Sequence, residues 1–137
     1  MDTLKHGGAA GGVAAGLSVW LNAILVNGID FFLDATNFKE ALQKADVLIT
    51  GEGSIDAQTL QGKAPYGVAK KAKEKNIPVI GLAGKIPEQQ DDALNKYFDV
   101  LLSINDNEAN VASAMLHTKE NLIKTAKALG NSLPAYL

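Results

Sequence analysis

Three short apolar runs constrain the fold of this 137-residue chain more than any other feature. They lie at residues 47–50, 79–83 and 100–104, and stretches with helical periodicity separate them. Runs of four or five residues that are mostly apolar, without polar alternation, are typical of strands buried on both faces of a parallel sheet. The pattern predicts an α/β fold with a mostly parallel, Rossmann-like sheet flanked by helices. The chain length predicts a single domain over residues 1–137.

Helix signals occur before and between these runs. Residues 31–33 (FFL) predict a further short buried strand, and Asp34 or Thr36 can cap a helix that follows it and ends at Asp46. Pro65 suits the first position of the next helix, because its missing N–H would have no partner there. A short helix is predicted over residues 87–96.

One long helix is predicted after the third apolar run. Its apolar residues recur at spacings of three, four or seven: Val111, Met115, Leu122, Ala126 and Leu129. Asn107 is a plausible N-cap and Gly130 a plausible stop. We expect Met115 to fill the core and His117 to lie on the surface.

Residues 7–29 carry no charged side chain, and this segment allows two interpretations. One is a membrane span, because several glycines have the small-xxx-small spacing of paired membrane helices. The other is a soluble helix buried almost all round, whose Gly/Ala face lets another backbone approach closely. The many glycines and the polar Ser18, Asn22 and Asn27 favour the soluble helix.

Charge and composition exclude several classes of protein. The formal net charge is −2, so the chain lacks the positive field with which proteins hold nucleic acid or anionic membranes. It has no cysteine for a disulfide or a thiolate site, and only His6 and His117 as imidazoles. All thirteen basic residues are lysine, so no arginine fork is available for anions. No secretory signal is evident, which makes the cytoplasm the default location.

Residues 51–62 follow the first apolar run as a long polar connection, and long loops at strand ends usually carry function. The connection fits neither of two common glycine motifs. Ala57 and Ala64 stand where a P-loop ending in Gly62-Lys63 needs glycine and Ser or Thr. Asp56 stands where the dinucleotide fingerprint needs its third glycine.

This loop nevertheless combines groups that suit phosphate chemistry. Its glycines let backbone N–H groups approach an anion, and Lys63 precedes a predicted helix N-terminus, which favours negative charge. Glu52 and Asp56 supply carboxylates that can hold Mg²⁺ or accept the proton of a hydroxyl group. The alternative is structural: Asp56 forms an Asx turn and the glycines serve only the turn. The residues alone leave both interpretations open.

Longer stretches of the chain resemble the bacterial glycerate kinase family. They are residues 8–12 (GAAGG), 45–59 (ADVLITGEGSIDAQT), 62–69 (GKAPYGVA) and 78–84 (PVIGLAG). The resemblance continues through the C-terminal helix and covers essentially the whole chain. It corresponds to about the last third of a family member, a C-terminal portion.

The resemblance implies transfer of the γ-phosphate of ATP to a hydroxyl group of D-glycerate, with ATP and Mg²⁺ as cofactors. It also implies a cleft between two α/β lobes, of which this chain is a partial lobe. The implied catalytic residues are Glu52, Asp56 and Lys63, with Asp56 also a metal ligand. The implied substrate-binding residues are Gly51, Gly53, Ser54, Gln58, Thr59 and Gly62.

Ser54 departs from the family pattern, which most often has arginine after Gly-Glu-Gly. The change removes a clamp for phosphate or carboxylate and leaves Lys63 or the missing lobe to do that work. We expect the isolated chain to be inactive, because one wall of the cleft is missing, and its partner to be the missing N-terminal segment or a second copy. The alternative is a non-catalytic α/β assembly module or remnant.

Overall fold

A parallel sheet forms the centre of the molecule. The computed structural model describes residues 4–89, 92–105 and 110–135. Within them, β1 (Leu48–Ser54), β2 (Val79–Lys85) and β3 (Val100–Ser103) form one sheet in the order β1-β2-β3. Both strand pairs are parallel, with Leu48 opposite Val79 and Ile80 opposite Val100. The strands predicted at the three apolar runs and the α/β class are therefore confirmed.

Helices precede, connect and follow the strands. They are α1 (Val13–Leu21), α2 (Gly28–Ala35), α3 (Phe38–Leu42), α4 (Ala64–Lys73), α5 (Asp92–Asn95), α6 (Val111–Leu116) and α7 (Thr118–Ser132). The helix α4 links β1 to β2, and α5 links β2 to β3. Short 3-10 turns lie at Ala9–Gly12, Thr59–Gln61 and Leu133–Ala135.

The main core lies where α3, α4 and α5 pack on one face of the sheet. Its buried members are Leu42, Ile55, Ala69, Ala72, Ile77, Val79, Ala83, Leu94, Phe98 and Leu101. On the inner face of α4, Ala69 and Ala72 are fully buried. A methyl group on Gly81 would lie 2.6 Å from Leu101 Cδ2, so this layer packs closely against the glycine and a larger residue would force side chains to move.

An ion pair ties the end of α4 to the sheet. Lys73 Nζ donates to Asp99 Oδ1 at 2.5 Å, and the backbone N–H of Val79 donates to Asp99 Oδ2 at 2.7 Å. Partial burial raises the pKa of the Asp99 carboxyl, but these hydrogen bonds and the positive charge of Lys73 together outweigh it and hold that pKa below its usual range. The carboxylate of Asp99 therefore joins the starts of β2 and β3 to α4.

The predicted strand over residues 31–33 is wrong, because these residues belong to α2. Asn27 caps this helix: its Oδ1 accepts hydrogen bonds from the N–H groups of Ile29 and Asp30, both at 3.1 Å. Of the three predicted strand residues only Leu33 is buried. The predicted cap at Asp34 or Thr36 is also wrong, because the next helix, α3, has Asn37 as its N-cap.

The uncharged N-terminal segment does not form one long buried helix. The helix α1 has nine residues, and none of them is buried. Asn22 ends it in the left-handed conformation, and residues 22–27 continue without regular structure. Across the described ranges, no helix combines the length and apolar character needed to cross a membrane.

The predicted long C-terminal helix is divided at His117 into α6 and α7. The hydroxyl of Thr118 donates to the carbonyl oxygens of Ala114 and Met115, and so takes up acceptors at the end of α6. Gly130 does not stop α7, which continues to Ser132.

Other details of this region also differ from the prediction. Asn110 caps α6, since its Oδ1 accepts from the N–H of Ala112 at 2.9 Å, and the predicted cap Asn107 lies outside the described residues. Met115 is exposed rather than part of the core. The helix predicted over residues 87–96 is, in the residues described there, the four-residue α5.

Candidate active site

The strand β1 carries the first residues of the candidate site. It extends to Ser54, so the predicted loop over residues 51–62 begins later than the sequence suggested. Gly51 pairs with Leu82 and Glu52 with Ala83. A methyl group on Gly51 would lie 2.9 Å from the carbonyl oxygen of Leu82, so the missing side chain lets the two strands stay paired. Glu52 is therefore fixed by a strand rather than by a turn.

The carboxylate of Glu52 contacts two side chains from beyond the strand. Its Oε1 lies 3.4 Å from Lys63 Nζ, and its Oε2 accepts a hydrogen bond from the hydroxyl of Thr59 at 3.5 Å. The Lys63 side chain is 40% exposed and that of Glu52 29% exposed. An ion pair this open to water contributes at most about 1 kcal/mol. Lys63 can therefore leave Glu52 for an incoming anion at little cost.

Thr59 connects the two carboxylate residues, Glu52 and Asp56, through hydrogen bonds of its hydroxyl group. It is the one polar side chain that is fully buried among the described residues. Its hydroxyl oxygen accepts from the N–H of Asp56 at 3.1 Å while the hydroxyl donates to Glu52. Because Thr59 has no exposed surface in this structure, its hydroxyl acts on the site by orienting Glu52 and Asp56.

Asp56 forms the turn after the strand. Its Oδ1 accepts from the N–H of Gln58 at 2.8 Å, which is an Asx turn, and its Oδ2 accepts from the hydroxyl of Ser54 at 3.4 Å. Each carboxylate oxygen has a second lone pair, and the residue is half-buried rather than enclosed. The structural role is thus present, and it leaves the carboxylate open to a ligand.

The N-terminus of α4 completes the cluster. Gly62 has φ of 103°, a left-handed conformation that suits glycine, and it turns the chain so that Lys63 stands directly before Ala64, the first residue of the helix. Pro65 is therefore the second helical residue, one place later than predicted. A methyl group on Gly62 would also lie 3.2 Å from Asn27 Nδ2, so the cap of α2 borders the site.

The ends of β2 and β3 lie beside this cluster. Asn105 Nδ2 donates to the carbonyl oxygen of Gly84 at 2.9 Å, and Lys85 accepts from the N–H of Ile55 through its backbone oxygen at 3.0 Å. The residues that follow the three strands therefore meet at one edge of the sheet, at Ile55, Lys85 and Asn105.

An open groove of about 1290 Å³ runs along this edge, with Glu52 in its lining. Ile49 and Leu82 contribute apolar surface from the sheet, and Met115 and Leu122 contribute it from α6 and α7. The sequence did not predict that α6 and α7 line the groove. It also did not single out Asn121 of α7, whose Nδ2 donates to Asn105 Oδ1 at 3.1 Å. The apolar period of residues 111–129 was visible, but its contact with the strand ends was not.

Comparison with known proteins agrees with the sequence resemblance. The model of the glycerate kinase family matches residues 1–133. A glycerate kinase of Bacillus subtilis is 42% identical over 126 residues, which are 92% of this chain and 33% of that protein. A glycerate kinase of Halalkalibacterium halodurans is 44% identical over 102 residues, 74% of this chain and 27% of that protein.

A solved structure adds a likeness of fold. The crystal structure designated glycerate kinase 2 from Salmonella typhimurium LT2 superposes with a TM-score of 0.66 at 39% identity, over 94% of this chain and 33% of that one. The chain thus spans about a third of the length of the relatives it matches, as expected for a C-terminal portion of such a protein. From the extent of the family match and the identity to these relatives, the chain belongs to the glycerate kinase family.

Proposed function

We propose that this chain supplies one wall of the active site of a kinase that transfers the γ-phosphate of ATP to a hydroxyl group of D-glycerate. The observation that carries the proposal is the cluster of Glu52, Asp56, Thr59 and Lys63 at the carboxyl end of β1, inside the family match. Carboxylates, a lysine and a helix N-terminus next to an open groove are the parts that phosphoryl transfer needs.

The residues of the cluster fit Mg²⁺. This ion is usually held by one or two carboxylates and completes its octahedron with water and substrate phosphates. Asp56, with Glu52 joined to it through Thr59, offers that number of oxygen ligands. Within the described residues, no three acidic, histidine or cysteine side chains are grouped so that they could hold a metal ion by themselves. Water and phosphate oxygens would therefore complete the shell of the ion. When bound, Mg²⁺ would neutralise charge on the phosphates of ATP.

In the proposed reaction a hydroxyl oxygen of D-glycerate forms a bond to the γ-phosphorus, and the bond from that phosphorus to the bridging oxygen of ADP breaks. The hydroxyl proton passes to a carboxylate, for which Asp56 is our first candidate and Glu52 the second. Thr59 holds the carboxylate of Glu52 and the backbone of Asp56, while the Asp56 carboxylate is positioned by the N–H of Gln58 and the hydroxyl of Ser54.

Lys63 and the N-terminus of α4 would bind the transferred phosphate. Lys63 leaves its weak pair with Glu52, and the free N–H groups of the first helical turn add partial positive charge. Gly51, Gly53, Ser54, Gln58 and Gly62 line or shape the same edge and remain candidates for substrate contact. The chain has no arginine, so we assign the phosphate contact on this wall to lysine and backbone groups.

The experiment that tests this function supplies the rest of the enzyme. The chain would be co-expressed with the part of the Bacillus subtilis glycerate kinase that lies outside the matched residues, or fused to it in place of its own matched segment. We expect formation of ADP and phosphoglycerate from MgATP and D-glycerate, followed by coupled assay and ³¹P NMR. A folded hybrid that turns over with this chain replaced by the Bacillus subtilis segment, but not with this chain, would contradict the proposal.

A second candidate function is a non-catalytic assembly module. The absence of any buried residue from α1 favours it, because such a surface serves association whether or not catalysis follows. An assembled hybrid without turnover would support this candidate.

A further inference from the structure

The side chain of one lysine in the groove has no role in the site described so far. Lys85 is the last residue of β2, and among the described residues that line the groove it is the only basic one. Its side chain is exposed, and none of the ion pairs found in the described ranges includes it. Glu52 and Glu88 line the same groove, but neither forms an ion pair with Lys85. The positive charge of Lys85 is therefore available to an anion that enters the groove.

The backbone of Lys85 is held in place. Its carbonyl oxygen accepts from the N–H of Ile55 at 3.0 Å, and Ile55 is fully buried. The carbonyl oxygen of the preceding residue, Gly84, accepts from Asn105 Nδ2 at 2.9 Å. The lysine side chain thus starts from a fixed point at the end of β2, between the end of β1 and the residue that follows β3. Groups that start from strands are positioned more precisely than groups on loops.

The register of the sheet places Lys85 beside the carboxylate residues. Lys85 is the Cα partner of Ser54. Two residues earlier in each strand, Ala83 is the partner of Glu52. Neighbouring strands lie about 4.8 Å apart and side chains two residues apart share a face, so Glu52, Ser54 and Lys85 project from the same face of the sheet. The hydroxyl of Ser54 donates to Asp56 Oδ2 at 3.4 Å, so Lys85 stands one strand away from a residue in contact with the proposed base.

The proposed reaction brings two anions together, and each of them needs a positive charge. The γ-phosphate of ATP is assigned above to Lys63 and the N-terminus of α4. D-Glycerate carries its carboxylate in the same three-carbon molecule as the reacting hydroxyl group, so this carboxylate must bind close to Asp56. A lysine ammonium group makes charge-assisted hydrogen bonds to a carboxylate, which are roughly twice as strong as neutral ones. Lys85 meets both requirements, because it has an unpaired charge and lies near Asp56.

We propose that Lys85 binds the carboxylate of D-glycerate and thereby selects an acidic acceptor for the kinase. The inference rests on the proposed function and adds to it the residue that determines acceptor specificity. With its carboxylate on Lys85, the acceptor presents its hydroxyl group to Asp56 and meets the phosphate held by Lys63. A neutral alcohol of the same size lacks the group that Lys85 recognises.

The test measures binding to the fusion of this chain with the remaining segment of the Bacillus subtilis glycerate kinase. Ligand-observed NMR titrations give the Kd of D-glycerate, of its neutral analogue D-glyceramide and of MgATP, so the result does not depend on turnover. Lys85→Gln should weaken the binding of D-glycerate about tenfold or more, because a charge-assisted hydrogen bond is lost. It should change the Kd of D-glyceramide and of MgATP less than about twofold, because neither ligand offers a carboxylate to Lys85.

Two further variants separate the charge of Lys85 from a structural effect. Lys85→Arg keeps a positive charge at the end of β2 and should bind D-glycerate within about threefold of the parent. Lys75→Gln removes an exposed lysine that does not line the groove, and it should leave all three constants unchanged. Circular dichroism melts check that each variant folds.

Three results for Lys85→Gln would overturn the proposal. They are an unchanged Kd for D-glycerate, an equal loss of affinity for D-glyceramide, and a loss of MgATP affinity in place of D-glycerate affinity. The first would make Lys85 a solvated surface charge, and the last would assign it to phosphate.

The outcome for the parent fusion separates this inference from the proposed function. A folded parent that does not bind D-glycerate would overturn both. A parent that binds D-glycerate through Lys85 without turnover would support the inference and contradict only the proposed catalysis.

Discussion

Asp56 serves the turn through Oδ1, which accepts from the N–H of Gln58, while its Oδ2 accepts from the hydroxyl of Ser54. Substitution by asparagine separates these roles, because the asparagine Oδ1 can still accept from the N–H of Gln58. In the completed enzyme we expect Asp56→Asn to lower kcat about a hundredfold or more with an unchanged melting temperature. Steady-state kinetics beside thermal melts measure both.

The matched comparison is Glu52→Gln, which keeps the strand and the size of the side chain. Near-normal kcat in Asp56→Asn together with abolished kcat in Glu52→Gln would exchange the roles of the two residues and leave the kinase proposal in place. The structure makes this comparison worthwhile, because Glu52 lies in β1 and contacts both Lys63 and Thr59.

Lys63 should affect binding more than chemistry. Its charge would meet phosphate in the ground state and in the transition state alike, so Lys63→Ala should raise KM for ATP at least as strongly as it lowers kcat. Saturation kinetics in the completed enzyme distinguish the two parameters. Lys70→Ala, on the exposed face of the same helix, is the control and should change neither. A fall in kcat with KM unchanged would assign Lys63 to the transition state alone.

At the level of elements, the tie between α4, β2 and β3 depends on the charge of Asp99. Its carboxyl has a lowered pKa in the folded chain, so the stabilisation is complete above the pKa of the unfolded carboxyl and is lost as pH falls through the folded value. Asp99→Asn should therefore lower the free energy of unfolding at pH 7, and its effect should shrink at low pH as the carboxyl of the folded chain becomes protonated. Because the side chain is 42% exposed, we expect less than about 1 kcal/mol.

Urea unfolding at the two pH values tests this dependence. Glu74→Gln is the control, since its pair with Lys71 spans 3.9 Å at the surface and should contribute little at either pH. An equal loss at both pH values would show that the hydrogen-bond geometry of Asp99 matters rather than its charge.

The sequence predicted the strands well because each is an apolar run between turn residues, a local signal. It failed at residues 31–33, where two adjacent phenylalanines imitate a buried strand although only Leu33 is buried. The helix begins because of Asn27, four positions before Phe31, whose side chain accepts hydrogen bonds from the first N–H groups of α2. The apolar content of residues 31–33 favours a buried strand, but the N-cap at Asn27 favours a helix, and the segment is helical.

The sequence predicted which residues form the candidate site, but not the hydrogen bonds and packing contacts between them. The carboxylates, Lys63 and the glycines of residues 51–62 stood out by type. That Thr59 is buried and joins Glu52 to Asp56 depends on how the 3-10 turn packs under β1, which no local pattern reveals. The wall contributed by α6 and α7 depends on contacts between residues far apart in the chain.

For the whole molecule, the exposed apolar side chains near the N-terminus predict that the isolated chain associates with itself. They are Val19, Trp20, Leu21, Ile24, Phe31 and Phe32, each at least 60% exposed. With no other partner, copies of this surface should bury one another in the concentration range above about 100 μM. Light scattering over a dilution series measures the mass, and Trp20→Glu should return it to the monomer. A clean monomer of the unaltered chain at high concentration would contradict the prediction.

The isolated chain should also show no measurable glycerate kinase turnover. Positioning of two substrates needs both walls of a cleft, and this chain supplies one. Purified protein from a host that lacks its own glycerate kinases is assayed with MgATP and D-glycerate. Robust phosphorylation by these 137 residues would show that they contain the whole site.

The order of the strands in the sheet is also their order along the chain, and this has a consequence for folding kinetics. Each parallel pair closes over a single helix, so β1 meets β2, and β2 meets β3, without waiting for a distant segment. Sheets built from such near neighbours have a lower contact order than sheets whose strands are interleaved with remote ones, and their folding barrier is correspondingly smaller. The parallel unit, with Glu52 already in its strand, therefore has a folding route that does not wait for distant parts of the chain.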